Sequence, residues 1–194
     1  MAADVSGAEN RAAFDDSQVY HSHTLISFVP WHYLHGVRNN SLKKSARYRS
    51  EKPSRPDLPR REELEETSRL FAVKYLLGVM NSSVAREFLR AHRRSNIHLY
   101  PNDWKQLPIP EVPPEQQIPI VALVDKILTI KRADPNADIT TFEANLNARV
   151  AALYGLTPDE IHLVEESAPS SGRHTEPEPD SPPVEEVRII EGEA

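Results

Sequence analysis

The sequence predicts an α+β fold that is mostly helical, with a small β segment near the N-terminus. β-branched and aromatic residues concentrate between residues 19 and 31, as they do in strands. Between residues 61 and 166, apolar residues recur instead at the three- and four-residue spacing of amphipathic helices. Seventeen prolines punctuate the chain, and 194 residues suffice for one domain with tails.

The N-terminal third contains the β segment and a basic connector. Residues 1–18 show no apolar periodicity, so we expect them to be disordered. The run 19–31 (VYHSHTLISFVPW) predicts one or two strands that end at Pro30. The polar segment 36–61 then holds nine lysines and arginines, and prolines 53, 56 and 59 exclude a helix from its second half.

A pair of basic helices is predicted next. The first runs from about Arg61 to Met80, and its acidic first turn complements the helix dipole. Asn81-Ser82-Ser83 offers a cap, after which a second helix continues to about Arg94. Val84 and Phe88 are expected to face inward, with Ala91 a further candidate. One outward face carries Arg86, Arg90, Arg93 and Arg94.

An aromatic loop and a helical hairpin complete the predicted fold. The segment 95–110 (SNIHLYPNDWKQLPIP) predicts a non-helical loop. Two helices with long apolar stripes follow, at about 113–132 and 141–154, and their short connection predicts an antiparallel hairpin. Gly155 suits a C-cap, and Thr157-Pro158-Asp159-Glu160 forms a capping box for a last short helix. Proline, serine and acidic residues dominate from 167 onward, which predicts a disordered acidic tail.

The net charge of −6 conceals a division along the chain. Residues 1–30 hold one arginine against four acids, residues 31–109 hold sixteen lysines and arginines against eight acids, and residues 110–194 hold six against seventeen. The middle third is therefore basic although the whole chain is acidic. Such a segment suits a polyanionic partner.

Several classes of protein are disfavoured by what the sequence lacks. It has no cysteine for disulfides or thiolate zinc sites, no apolar run of membrane-spanning length and no signal-like N-terminus, so a cytoplasmic location is expected. It also lacks a glycine-rich phosphate loop, a nucleophile elbow and a paired-carboxylate pattern. We therefore expect no catalytic residue and no cofactor in this chain.

Four histidines invite comparison with a metal site. His21 and His23 would share one face of a strand, and His32 and His35 follow closely. However, no carboxylate lies between Tyr20 and Glu51, and no cysteine is available. Stacking or core packing is the favoured interpretation, and no metal site is predicted.

The candidate contacts to nucleic acid fall into two sets. Cations on one face repel each other unless phosphates neutralise them, although acids elsewhere in the fold could do the same. Arg38 could fork onto a guanine edge, and Asn39 or Asn40 onto an adenine, although the same residues would suit an ordinary surface turn. Tyr100 and Trp104 could stack on bases or anchor the loop to the core. The predicted phosphate contacts are Lys43, Lys44, Arg47, Arg86, Arg90, Arg93, Arg94 and Lys105, and the predicted base contacts are Arg38, Asn39, Asn40 and Tyr100.

Five blocks of sequence, in order, resemble one family. The blocks are HTLISFVPWHYLHGVRNNSLKKSARY, FAVKYLLGVMNSS, NIHLYPNDWKQLPIP, QQIPIVALVDKIL and ALYGLTPDEIHLVEE, and together they extend from about residue 20 to residue 166. They resemble the C-terminal region of type II restriction–modification enzymes. More narrowly, they resemble adenine-specific DNA methyltransferases of the fused restriction–methylation kind, including those with a TaqI-like C-terminal specificity domain.

The resemblance implies a target-recognition portion separated from its catalytic domain. In that family, catalysis lies in an N-terminal domain that uses S-adenosyl-methionine and an Asn-Pro-Pro-Tyr-type motif, which this chain lacks. The chain therefore resembles the C-terminal piece of a methyltransferase, as a split or truncated product. The expected partners are duplex DNA and a methyltransferase or restriction catalytic subunit, with no membrane.

The sequence thus predicts a DNA target-recognition fragment that serves a catalytic domain not present in the chain. Its expected parts are a disordered N-terminus (1–18), a DNA-recognition segment (19–110), a helical hairpin for spacing or docking (111–166) and an acidic tail (167–194). The alternative is a helical-hairpin assembly module that docks a protein partner and has no DNA binding of its own.

Overall fold

A computed structural model describes residues 2–4, 10–16, 25–37, 59–95 and 98–166, and the described fold is mostly helical. Three short strands lie at the N-terminus: β1 (Ala2–Asp4), β2 (Ala12–Ala13) and β3 (Leu25–Ser27). A single 3-10 turn follows at Trp31–Leu34. The helices are α1 (Arg61–Arg69), α2 (Val73–Met80), α3 (Ser83–His92), α4 (Pro101–Trp104), α5 (Pro114–Ala133), α6 (Thr140–Leu153) and α7 (Pro158–Glu166).

The N-terminal residues form part of the fold, which corrects the expectation of disorder for the described parts of 1–18. β1 pairs antiparallel with both β2 and β3 in the order β2-β1-β3. The amide of Asn81, at the end of α2, bonds to both backbone groups of Ala12, at 2.8 and 2.9 Å. Asn10 donates to the carbonyls of Met80 and Ser82. Long-range side-chain bonds therefore hold a segment that has no apolar periodicity of its own.

Within the described part of the run 19–31, the strand ends earlier than predicted. β3 covers Leu25–Ser27, while Trp31 begins the 3-10 turn. Residues 19–24 lie outside the described residues.

The single helix predicted from Arg61 to Met80 is two helices, α1 and α2, with a break between Leu70 and Ala72. The buried side chain of Gln117 from α5 satisfies the backbone at this break. It accepts from the Ala72 N–H at 2.9 Å and donates to the carbonyls of Leu70 and Val112 at 2.7 and 3.0 Å. Because these bonds replace helical ones, the chain can change direction without leaving buried backbone groups unpaired.

Helix α3 begins where the sequence predicts, and it buries two apolar residues in addition to those expected to face inward. The hydroxyl of Ser82 caps it by accepting from the Ala85 N–H at 3.2 Å. Ala85 and Leu89 are buried, whereas Ala91 is exposed and the expected inward residues Val84 and Phe88 are half-buried. Val84 and Phe88 pack against the core, so the prediction that they face inward is confirmed.

The core consists of two clusters that meet at α2. The larger cluster joins α2, α5 and α6 through Tyr75, Leu77, Val79, Ile120, Leu123, Val124, Leu146 and Val150. The smaller joins the end of α2, α3 and the α4 region through Met80, Ala85, Leu89, Leu99, Trp104 and Leu107. The predicted stripes of α5 and α6 are confirmed as contributors to the larger cluster.

The C-terminal part of the described chain follows the sequence signals closely. Gly155 has a φ of 68°, and the N–H of Leu156 bonds to the carbonyl of Ala151, which closes α6 as a Schellman motif. The Thr157 hydroxyl and the Glu160 carboxylate form the predicted capping box. None of the described helices has the length and apolarity needed to cross a bilayer. The acidic tail, 167–194, lies outside the described residues.

Candidate nucleic-acid interface

The structure describes only part of the predicted DNA-contacting set. Residues 38–58 of the basic connector lie outside the described residues, and with them Arg38, Asn39, Asn40, Lys43, Lys44 and Arg47. The arginines of α3 and the residues of the aromatic segment are described. The candidate interface is therefore built from the end of α3 and the chain that follows it.

The charges on α3 are partly balanced by a carboxylate of the same helix. Arg90 forms a two-pronged pair with Glu87, with Nε to Oε2 at 2.8 Å and Nη2 to Oε1 at 2.5 Å. This pair lowers the pKa of Glu87 and raises the pKa of Arg90, and the charge of Arg86 lowers the pKa of Glu87 further. Repulsion among the arginines is thus relieved within the protein, which removes one reason to assign Arg90 to a phosphate.

Arg94 lies just beyond the end of α3 and faces a carboxylate from α4. Its Nε is 3.5 Å from Oδ1 of Asp103. The Asp103 side chain is 1% exposed, whereas that of Arg94 is 60% exposed. The other oxygen of Asp103, Oδ2, accepts a hydrogen bond from the Tyr100 N–H at 2.8 Å. Asp103 therefore connects Arg94, just beyond the end of α3, to the backbone of Tyr100 in the aromatic segment. The spacing of these residues in the sequence does not indicate this role.

The aromatic segment divides into an exposed half and a buried half. Tyr100 is 44% exposed, and the His98 ring packs against it edge-on with the centroids 6.2 Å apart. Trp104 is buried and meets the Phe28 ring edge-on at 5.8 Å, so of the two roles left open for it, anchoring the segment to the core is the one observed. Lys105 is exposed directly after α4. The segment also contains the short helix α4, so the prediction of a wholly non-helical loop is wrong.

Two tyrosine hydroxyls hold the Leu-Pro-Ile-Pro run that closes the segment. Tyr75 donates to the carbonyl of Pro110 at 2.7 Å, and Tyr154 donates to the carbonyl of Pro108 at 2.5 Å. Burial raises the pKa of each tyrosine to about 12, so both remain protonated donors at neutral pH. The C-terminal end of the aromatic segment is therefore fixed to α2 and to the end of α6.

His32 and His35 lie against α1. His35 Nδ1 is 2.6 Å from Oε2 of Glu65, whose Oε1 accepts from Arg61 Nε at 2.9 Å. His32 Nδ1 is 2.9 Å from the Ser68 hydroxyl. His21 and His23 lie outside the described residues. Over the described ranges, no three metal-binding side chains are close enough together to hold an ion.

A separate open groove lies between the 3-10 turn, the α1–α2 break and α5. Its volume is 710 Å³, and its lining includes Tyr33, Leu70, Phe71, Ile118 and Val121. Tyr33 and Ile118 are 64% and 63% exposed. This surface is more apolar than the arginine side and is a second candidate for contact with another molecule.

The chain matches no protein-family model, no curated protein and no solved structure. The interpretation of the interface therefore depends on its residues and on their geometry.

Proposed function

We propose that this chain is a DNA target-recognition segment that binds duplex DNA for a catalytic domain or partner subunit. The observation that supports this most directly is the contact between Arg94 and Asp103. Asp103 joins the residue that carries an exposed guanidinium, Arg94, to the backbone that carries the exposed ring of Tyr100. A cation beside exposed rings is a combination that nucleic-acid-binding surfaces use repeatedly.

The cationic part of the surface suits the sugar–phosphate backbone. Arg94 and Lys105 are both exposed. Arg94 contacts Asp103, and Lys105 follows Asp103 closely in the sequence. Neutralising a phosphate with either side chain would release condensed counterions, which drives binding regardless of sequence. Arg86 and Arg93 are half-buried, and Arg90 is already paired with Glu87. In the proposal, Arg94 and Lys105 therefore carry more of the phosphate contact than the middle of α3.

The aromatic part suits the bases or sugars. Tyr100 presents an exposed ring on a backbone that Asp103 fixes, and His98 lies beside it. Arg38, Asn39 and Asn40 remain the proposed readers of base edges. The predicted antiparallel hairpin of α5 and α6 would serve as the spacer or docking element towards the catalytic subunit. That subunit would supply the S-adenosyl-methionine chemistry or the DNA cleavage implied by the family resemblance.

The proposal is tested by a salt titration of binding to a mixed-sequence DNA duplex, followed by fluorescence anisotropy. The variant Arg94→Ala should reduce the slope of log K against log salt by about 1, because one phosphate contact is lost. Arg149→Ala is the matched control. It removes the same charge from the exposed face of α6, where Arg149 Nε bonds to Asn145, and it should leave the slope nearly unchanged. Absence of DNA retention by the wild-type protein at low salt, alone or with a partner subunit captured from the source cell, would refute the proposal.

The apolar groove favours a second function, that of a protein-assembly module. Exposed Ile118 and Leu70 beside Tyr33 provide a hydrophobic patch that a partner could cover. This alternative predicts a complex that persists at high salt, lacks DNA and is disrupted by Ile118→Glu. A complex that dissolves with salt and is unaffected by Ile118→Glu would favour the DNA function instead.

A further inference from the structure

Asp103 is an unusual residue in the candidate interface because it is a buried carboxylate at the edge of a basic surface. Its residue exposure is 2%, which is lower than that of any other carboxylate among the described residues. A carboxylate withdrawn from water is costly unless its oxygens are satisfied. Asp103 Oδ2 has the Tyr100 N–H, but within the described part of the chain Oδ1 accepts no hydrogen bond.

The charge of Asp103 is compensated by Arg94, whose Nε lies 3.5 Å from Oδ1. The contact uses the Nε edge of the guanidinium, which leaves the Nη end of an otherwise 60% exposed side chain for another ligand. The two residues come from different elements, since Arg94 follows α3 and Asp103 lies in α4. An arginine that is attracted to a buried carboxylate at Nε loses less conformational entropy when its Nη end binds a second anion.

We propose that Asp103 is a positioning residue for nucleic-acid binding. Through Oδ1 it orients the Arg94 guanidinium towards a phosphate, and through Oδ2 it fixes the backbone that carries the Tyr100 ring. The two exposed groups are then presented together, at a fixed separation, to the same stretch of DNA. This inference rests on the proposed function and adds to it a residue that acts only through others.

A purely structural role for Asp103, as the cap of α4, makes a different prediction. Asp103→Asn keeps an amide oxygen that can accept from the Tyr100 N–H, so the cap is retained. The same change turns an amide N–H₂ group towards Arg94 in place of a carboxylate oxygen. If Asp103 only caps α4, this variant should bind DNA slightly more tightly than the wild type, because it has one negative charge fewer. If Asp103 positions Arg94, the variant should bind more weakly despite that change.

The test combines DNA affinity with a direct measurement on Arg94 in the full chain. The Asp103→Asn variant should bind a mixed-sequence duplex about fivefold more weakly than the wild type at moderate salt. Adding Arg94→Ala to Asp103→Asn should cause little further loss, since the two residues act as a unit. In the free protein, ¹⁵N relaxation of the Arg94 Nε–H should show a restrained group in the wild type and a mobile one in Asp103→Asn.

The matched control is Asp134→Asn, which removes the same charge from the turn after α5 and should not weaken binding. If Asp103→Asn does not fold, Arg94→Lys gives a test on an exposed residue. It keeps the charge but loses the planar edge, so it should bind like Arg94→Ala. Wild-type affinity in Asp103→Asn or in Arg94→Lys, or an unchanged Nε–H relaxation in Asp103→Asn, would overturn this inference alone. A wild-type protein that retains no DNA would refute the proposed function and this inference with it.

Discussion

At the scale of single residues, the buried carboxylate of Glu65 connects the 3-10 turn to α1 through polar contacts. Glu65 forms hydrogen bonds with the His35 ring and with the Arg61 guanidinium. Arg61 also donates to the carbonyls of Leu34 and Val37. Hydrogen bonding from His35 lowers the pKa of Glu65 most strongly, burial opposes this shift, and Arg61 lowers it further. The ionised carboxylate therefore stabilises the packing of the 3-10 turn on α1.

The stability contributed by Glu65 should depend on pH in a defined direction. Because the folded state lowers its pKa below the ordinary value of 4.5, the contribution is fully present above that value and is lost as the pH falls through the lower folded pKa. Glu65→Gln should reduce the free energy of unfolding by on the order of 1 kcal/mol near neutral pH, and by less in acid. Urea melts from about pH 7 to about pH 3 measure this difference. Glu66→Gln, an exposed neighbour, is the control; a loss that is constant over the whole range would contradict the prediction.

At the scale of elements, α2 and α5 approach each other closely at Gly78. A Cβ atom at Gly78 would be 2.8 Å from Ile120 Cγ2 and 3.2 Å from Val124 Cγ2. Both distances are shorter than ordinary contacts, so only glycine allows the two helices to pack at this separation. The low helix propensity of Gly78 is offset by the packing that it permits.

Gly78→Ala should therefore destabilise the protein, although alanine is the better helix former. We expect a loss of about 1 to 3 kcal/mol, because overpacking exceeds the gain in propensity. Thermal and urea unfolding measure it. Ile120→Leu removes the branch at Cβ that would clash, so the double variant should lose less than the sum of the two single variants. A stabilised Gly78→Ala variant would show that α2 and α5 do not approach as closely as described.

The elements that the sequence predicts well are those whose ends carry local signals. Helices α5 and α6 begin and end within a residue of prediction, and α7 begins at its predicted capping box, because prolines, Gly155 and Thr157 act over three or four residues. The break after α1 was missed because it depends on Gln117, forty-seven residues from Leu70. Strands β1 and β2 were missed for the same reason, since Asn81 holds Ala12 across sixty-nine residues.

In the candidate interface too, contacts between residues close in the sequence can be predicted, whereas contacts between separate elements cannot. The Glu87–Arg90 pair lies at a spacing of three on one helix and could have been found from the sequence. The contact between Arg94 and Asp103 could not, because it depends on how α4 lies against the end of α3. The choice between stacking and anchoring for Trp104 likewise depended on where Phe28 lies. Residue types predict the chemistry of a surface, whereas the partners of each charge depend on the fold.

The uneven charge of the whole chain leads to a last prediction. The segment 167–194 holds seven acids against two arginines, so it adds five net negative charges to a protein whose proposed DNA surface is basic. A chain ending at residue 166 should therefore bind DNA several-fold more tightly at low salt, since an acidic segment competes with phosphate for the same cations. Screening should remove this advantage at high salt, where the Debye length falls to about 3 Å.

Replacing the seven acids of this segment by glutamine and asparagine, at unchanged length, separates charge from bulk. The substituted chain should match the shortened one in affinity and in salt dependence. If the shortened chain alone binds more tightly, the segment obstructs the surface by its size. If neither differs from the wild type, the acidic segment and the arginine surface act independently, and the net charge of the chain has no bearing on its affinity for DNA.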